Sequence, residues 1–188
     1  MSTDAASDVE RVTRAWIEHF VIGLGLCPFA AAPFNADRIG IRVSTAHDAE
    51  GIYQAFLSLL FEMFTSDPAE LETALLVVPA GLASFDHYLD MLETLENAVL
   101  EAGAEGMVQV ASFHPHYTFG DAAADDPANH SNRSPYPMFH LIREDGLAAA
   151  LESYPDPDAI PARNVERLRA LGMQGIRQLL AKIEVSDE

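Results

Sequence analysis

The residues of this chain that could do chemistry collect in two places. One is a lone thiol, Cys27, in L-G-L-C-P-F-A-A-A. The other runs from Gly106 to Glu144: G-M-V-Q-V-A-S-F-H-P-H-Y-T-F-G, a long polar connection, then N-R-S-P-Y-P-M-F-H-L-I-R-E. Pro28 suits the first position of a short helix, which would make Cys27 its N-cap. A thiol there meets exposed N–H groups and a positive partial charge, which lower its pKa and raise its thiolate fraction. With a histidine as neighbouring base it becomes a nucleophile. The alternative is a buried structural thiol following Leu24 and Leu26.

In His114-Pro115-His116 the proline favours extended geometry, so both imidazoles could face one way. Joined by His140 from a neighbouring strand they would make a three-histidine metal site, although no carboxylate stands at a diagnostic spacing. The opposing reading is a hydrogen-bonded histidine at a strand end. Arg133 and Arg143 are the two basic residues of the Gly106–Glu144 stretch. A guanidinium in an acidic protein is a directed receptor for carboxylate or phosphate, and Asn132, Ser134, Tyr117 and Tyr136 add polar groups around it. An arginine tied to a local acidic residue as a structural clip is equally compatible. His140 alternates with Met138 and Ile142, so it belongs to their face of a strand.

The elements that position these residues follow from periodicity. Ser7 to Glu10 has the pattern of a capping box. Val9, Val12, Trp16 and Phe20 then mark a helix to about Ile22, stopped by Gly23 and Gly25. Residues 38–44 alternate as a half-buried strand. Residues 46–64 carry a helical stripe, and 73–78 form an apolar run fitting a strand buried on both faces. A helix capped by Ser84 and ending at Gly103 precedes strands over 107–113 and 138–143. Residues 147–153 are helical, and two short helices follow Pro161. The resulting expectation is a single α/β domain over residues 1–188, with residues 1–7 flexible. It has about four mainly parallel strands in the order β-α-β-α-β and then a fourth strand, an N-terminal helix and a helical tail. His114 would stand at the strand C-termini, where ligands of such sheets bind, beneath the long connection from Pro115 to Pro137.

Composition sets limits. The net charge of −18 argues against nucleic acid and anionic membranes as partners. One cysteine excludes an internal disulfide and a cysteine-rich zinc site. No apolar run has the length of a membrane span and the first residues lack a signal-peptide pattern, so a cytoplasmic location is expected. No dinucleotide-binding, phosphate-loop or nucleophile-elbow motif is present, and the sequence requires no cofactor.

W-I-E-H-F-V-I-G-L-G-L-C-P-F-A, L-L-V-V-P and the two long motifs above together resemble a bacterial family known as domain of unknown function 1415. The resemblance covers nearly the whole chain and implies an intact single-domain member, with no activity attached. Its signature residues fall on Cys27, Pro28 and Phe29, on His114, Pro115 and Tyr117, and on Asn132 to Pro137 with His140 and Arg143. Gly25 replaces an expected asparagine and Ser131 an expected threonine. His116 falls at a variable position, which weakens the metal reading.

The leading expectation is therefore a thiol-dependent hydrolase, transferase or redox enzyme for a small anionic molecule, with Cys27 as nucleophile or redox thiol, His114 as general base or acid, and Arg133 and Arg143 holding the anion. A non-catalytic anion- or peptide-binding module built on the 115–137 loop is the second. A metal site at His114, His116 and His140 is the third.

Overall fold

The computed structural model describes residues 3–185. Helix α1 (Thr3–Trp16) passes directly into a wider π-helical stretch, Ile17–Ile22. A short α2 (Ala31–Asn35) leads to β1 (Ile39–Val43), then α3 (Ala49–Thr65), β2 (Thr73–Val77), α4 (Phe85–Glu101) and β3 (Val108–Phe113). After the long connection come β4 (Met138–Arg143), α5 (Glu144–Ser153) and α6 (Ile160–Val185). Two local signals read differently in three dimensions. Because α1 starts at Thr3, Ser7 lies inside it instead of capping it. Met1 and Ser2 lie outside the described residues. The two expected C-terminal helices meet at Gly172, whose φ of 66° breaks α6.

The four strands form one mixed sheet in the order β1-β2-β4-β3. β1 and β2 are parallel, joined by the α3 crossover. β4 is antiparallel to both β2 and β3, which corrects the expectation of a mainly parallel sheet. The α4 crossover places β3 one position beyond β2, and the chain then turns back to fill the gap with β4. A strand buried on both faces reads as a continuous apolar run in either direction, so the sequence held no signal for this reversal.

Strand parity divides the core. Ala74, Leu76, Phe139 and Leu141 face α3 and α4, packing on Ile52, Phe56, Leu60, Tyr88 and Leu95. Ile39, Ile41, Leu75, Val77 and Met138 face the other way, onto Trp16, Ile17, Phe20, Leu168 and Ile176. Helices therefore cover both faces. Each large buried side chain contributes about 1.5–3 kcal/mol. Tyr88 locks the centre: its hydroxyl donates to Met138 O (2.9 Å) and accepts from Phe113 N–H (2.9 Å), tying the end of β3 to the start of β4. Among the described residues no helix is long and apolar enough to cross a membrane.

Candidate functional site

The sheet face that meets α1 is only partly covered. A cavity of about 500 Å³ remains between the strands, the π-helical stretch, the 27–33 turn and α5. Its floor is Leu75, Ala111, Phe113 and Ile142, and its walls include Trp16, Ile17, Phe29 and Leu147. Phe29 and Tyr154 meet edge to face across one end (5.4 Å between ring centroids). None of the residues of α5 is fully buried, because its inner side, with Gly146, Leu147 and Ala150, borders this space.

Cys27 and His140 both line this cavity, together with Thr73. His140 lies opposite Leu75 and Ala111 in the sheet register, so its parity carries it to this face as the alternation with Met138 and Ile142 required. Its tautomer follows from bond counting. The Thr73 hydroxyl has one proton and donates it to Leu141 O at 2.7 Å. It must then accept from His140 Nε2–H in the close contact between them. Nδ1 is left as an unprotonated acceptor. Burial disfavours the imidazolium and lowers the His140 pKa to about 4.

Cys27 does not start a helix: α2 begins at Ala31, and a turn over residues 28–30 intervenes. The backbone N–H groups of Phe29 and Ala30 reach the sulfur and favour the thiolate, but desolvation outweighs them and the thiol pKa is raised. That reverses the sign expected from a helix N-terminus. Thiol and imidazole are thus both neutral at rest. Against an ordinary thiol near 8.5, a thiolate–imidazolium pair here would cost more than about 6 kcal/mol. Contact attraction between unit charges returns only about 4 kcal/mol at an effective dielectric of 20. Neutral partners win.

Trp16 is a cavity residue that sequence pattern concealed. Its place in the Val9–Phe20 stripe marks it as core, and it is 2% exposed. Yet its indole Nε1–H is buried without a hydrogen-bond partner. An orphaned buried donor costs about 1–3 kcal/mol. As the single tryptophan of the chain, a large aromatic carrying a donor, it had a composition signal but no motif. Thr73 had none, since nothing in the sequence pairs it with His140. The charged wall residues are already compensated: Glu72 pairs with Arg38 (2.9 Å). Arg143 donates to the carbonyls of Leu71 (3.1 Å), Ser66 (3.1 Å) and Met63. Arg143 thereby ties β4 to the C-terminus of α3, a favourable place for a cation.

The remaining sequence candidates lie elsewhere. His114 is fully buried on the opposite side of the sheet, against Phe85 and Tyr88 of α4. Its Nε2–H donates to Leu82 O (2.8 Å), and its Nδ1 accepts from His116 N–H (3.0 Å). Both nitrogens are occupied and burial lowers its pKa, so it is a neutral structural imidazole. His114 and His116 border a different pocket at the strand C-termini, with His47 and Pro135 to Pro137. Cys27 and His114 are not brought together. Nor do His114, His116 and His140 converge: among the described residues no group of three or more metal-ligating side chains is arranged to hold an ion.

Arg133 clips its own loop, donating to the carbonyls of Tyr117 (2.9 Å) and Ala124 (2.8 Å). The clip expected of it is real, but its acceptors are carbonyls, not carboxylates. Asn132 Nδ2 donates to Ser112 O (3.0 Å), Ser134 Oγ to Tyr136 O (2.6 Å), and Tyr117 packs on Phe85 (5.0 Å). With Asn129 bridging Phe119 N–H and Ala123 O, these bonds give the long connection a fixed shape. Asp126 fastens it to α6 through Arg169 (2.6 Å).

An α/β protein emerges whose polar motifs build a loop and whose thiol shares an apolar cavity with a half-buried imidazole. The chain belongs to the family described as protein of unknown function DUF1415, whose model matches residues 8–178. Comparison with curated proteins and with solved structures found no significant match.

Proposed function

We propose that the protein binds a small, uncharged, largely apolar molecule in the cavity between the sheet and α5. One observation carries this reading: a cavity of about 500 Å³ is walled mostly by apolar side chains, with Glu72 on its wall ion-paired to Arg38 and the Arg143 donors spent on backbone carbonyls. Ligand pockets commonly span about 300–1,000 Å³ with few polar groups. An anion would lose its hydration there against a guanidinium whose donors already serve backbone carbonyls. Binding is favoured over thiol catalysis because burial raises the Cys27 pKa and keeps the reactive thiolate scarce, and the same burial makes His140 a weak base.

Alkylation of Cys27 by iodoacetamide, with ethylbenzene as probe, tests this. At a probe concentration ten times its Kd, labelling of native protein should slow about tenfold. Ala150→Trp, which fills the cavity from α5, should remove that protection. Labelling that is indifferent to the probe would reject the reading.

A second reading keeps the anion but moves it. Arg133 makes no ion pair among the described residues, and burial lowers its pKa. It lines a separate pocket of about 450 Å³ with Arg11, His130 and Tyr136. A phosphate there would restore the missing counter-charge, although Asp8 opposes it. Thermal stabilisation by inorganic phosphate that is lost in Arg133→Ala would support it, and stabilisation equal in both proteins would not.

A further inference from the structure

Resting on the cavity reading, we infer that the ligand carries a neutral hydroxyl, as in a phenol, which donates to His140 Nδ1, and that this lone pair selects hydroxyl compounds over ketones. The sheet register sets His140 between Leu75 on β2 and Ala111 on β3. Both neighbours line the cavity, as do Phe113 and Ile142 on the same face, so the imidazole stands within the cavity floor. Its side chain is half-buried and not sealed. Among the described residues, the fully buried side-chain polar atoms that lack a partner are Trp16 Nε1 and Arg38 Nε. His140 Nδ1 makes no hydrogen bond either but is not one of these atoms, so it keeps accessible surface, and the space it borders is the cavity. The Thr73 hydroxyl, committed to Leu141 O, holds the ring proton on Nε2, so what Nδ1 offers is a lone pair. Donors on the same wall do not reach it: Ser153 Oγ–H goes to Ala150 O, and the Arg143 guanidinium goes to backbone carbonyls. A hydroxyl on an apolar body meets this lone pair with a proton, whereas a ketone sets oxygen lone pairs against it.

Calorimetric titration of the full chain with three probes tests this: p-cresol, p-xylene, in which a methyl replaces the hydroxyl, and acetophenone, which only accepts. Each affinity is taken relative to that of p-xylene in the same protein, so that the apolar contribution common to the probes cancels. In His140→Phe the relative affinity of p-cresol should fall about tenfold, the order of one hydrogen bond, while that of acetophenone should not fall. Thr73→Val removes the group that fixes the tautomer and lets Nδ1 carry the proton. It should therefore raise the relative affinity of acetophenone severalfold. If His140→Phe folds poorly, the Thr73→Val comparison decides. A relative p-cresol affinity equal in His140→Phe and wild type, or a relative acetophenone affinity unmoved by Thr73→Val, overturns this inference. Protection of Cys27 by ethylbenzene then still upholds the cavity reading by itself. Binding of none of the three probes by the wild-type chain removes both.

Discussion

At the residue scale the site is governed by two half-buried groups, Cys27 and His140, that both resist charge. His140 is held near 4 in the folded chain against about 6.5 unfolded. Between those values the unfolded state binds more protons, so stability rises with pH and falls as pH drops from about 6.5 to 4. The full loss is about 3 kcal/mol, and His114 and His130, also lowered by burial, act in the same direction. Urea denaturation across this window should show the fall, and His140→Gln should flatten it. A profile unchanged by that substitution would place the pH dependence elsewhere. Cys27 shifts the opposite way, so its alkylation rate should keep climbing past pH 9. An inflection below pH 8 in the pH–rate profile would mean that the thiolate is stabilised after all.

At the element scale, the arginines that looked like substrate holders act as fasteners. Arg143 satisfies carbonyls at the end of α3 from the last residue of β4. Arg143→Met leaves those acceptors unpartnered and should cost about 2–4 kcal/mol by chemical denaturation. Helix α6 clamps two distant segments. Asn164 Nδ2 donates to Leu26 O (2.8 Å) beside Cys27, and Arg169 holds Asp126 in the long connection. By contrast α5 buries no residue. Its amides should exchange with solvent faster than those of α3 or α4, and slow when the cavity is filled, as hydrogen exchange with and without ethylbenzene would record. Uniform protection along α5 in the free protein would argue that the cavity is already closed.

At the scale of the whole molecule, a net charge of −18 on 188 residues is a self-repulsion that the few surface ion pairs do not offset. Screening should therefore help this protein: its melting temperature should rise as NaCl increases from about 10 mM to 0.5 M, where the Debye length falls below about 10 Å. A falling melting temperature would mean that specific ion pairs dominate.

What the sequence determined by itself was local. Periodicities of two and 3.6 marked the four strands and the main helices, and parity assigned His140 to the face of Met138 and Ile142. The motif from Asn132 to Pro137 allowed either an anion receptor or a structural clip, and its hydrogen bonds give the loop a fixed shape. Tertiary structure alone decided which of these residues meet. Strand alternation fixes the face a side chain occupies but not the strand beside it, so the reversal of β4 between β2 and β3 had no local signature. That reversal sets His140 across from Leu75, near Thr73 and the cavity of Cys27, while parity turns His114 to the other face. Burial did the rest, since the depth at which a thiol or an imidazole sits, and hence its charge, depends on the whole surrounding chain.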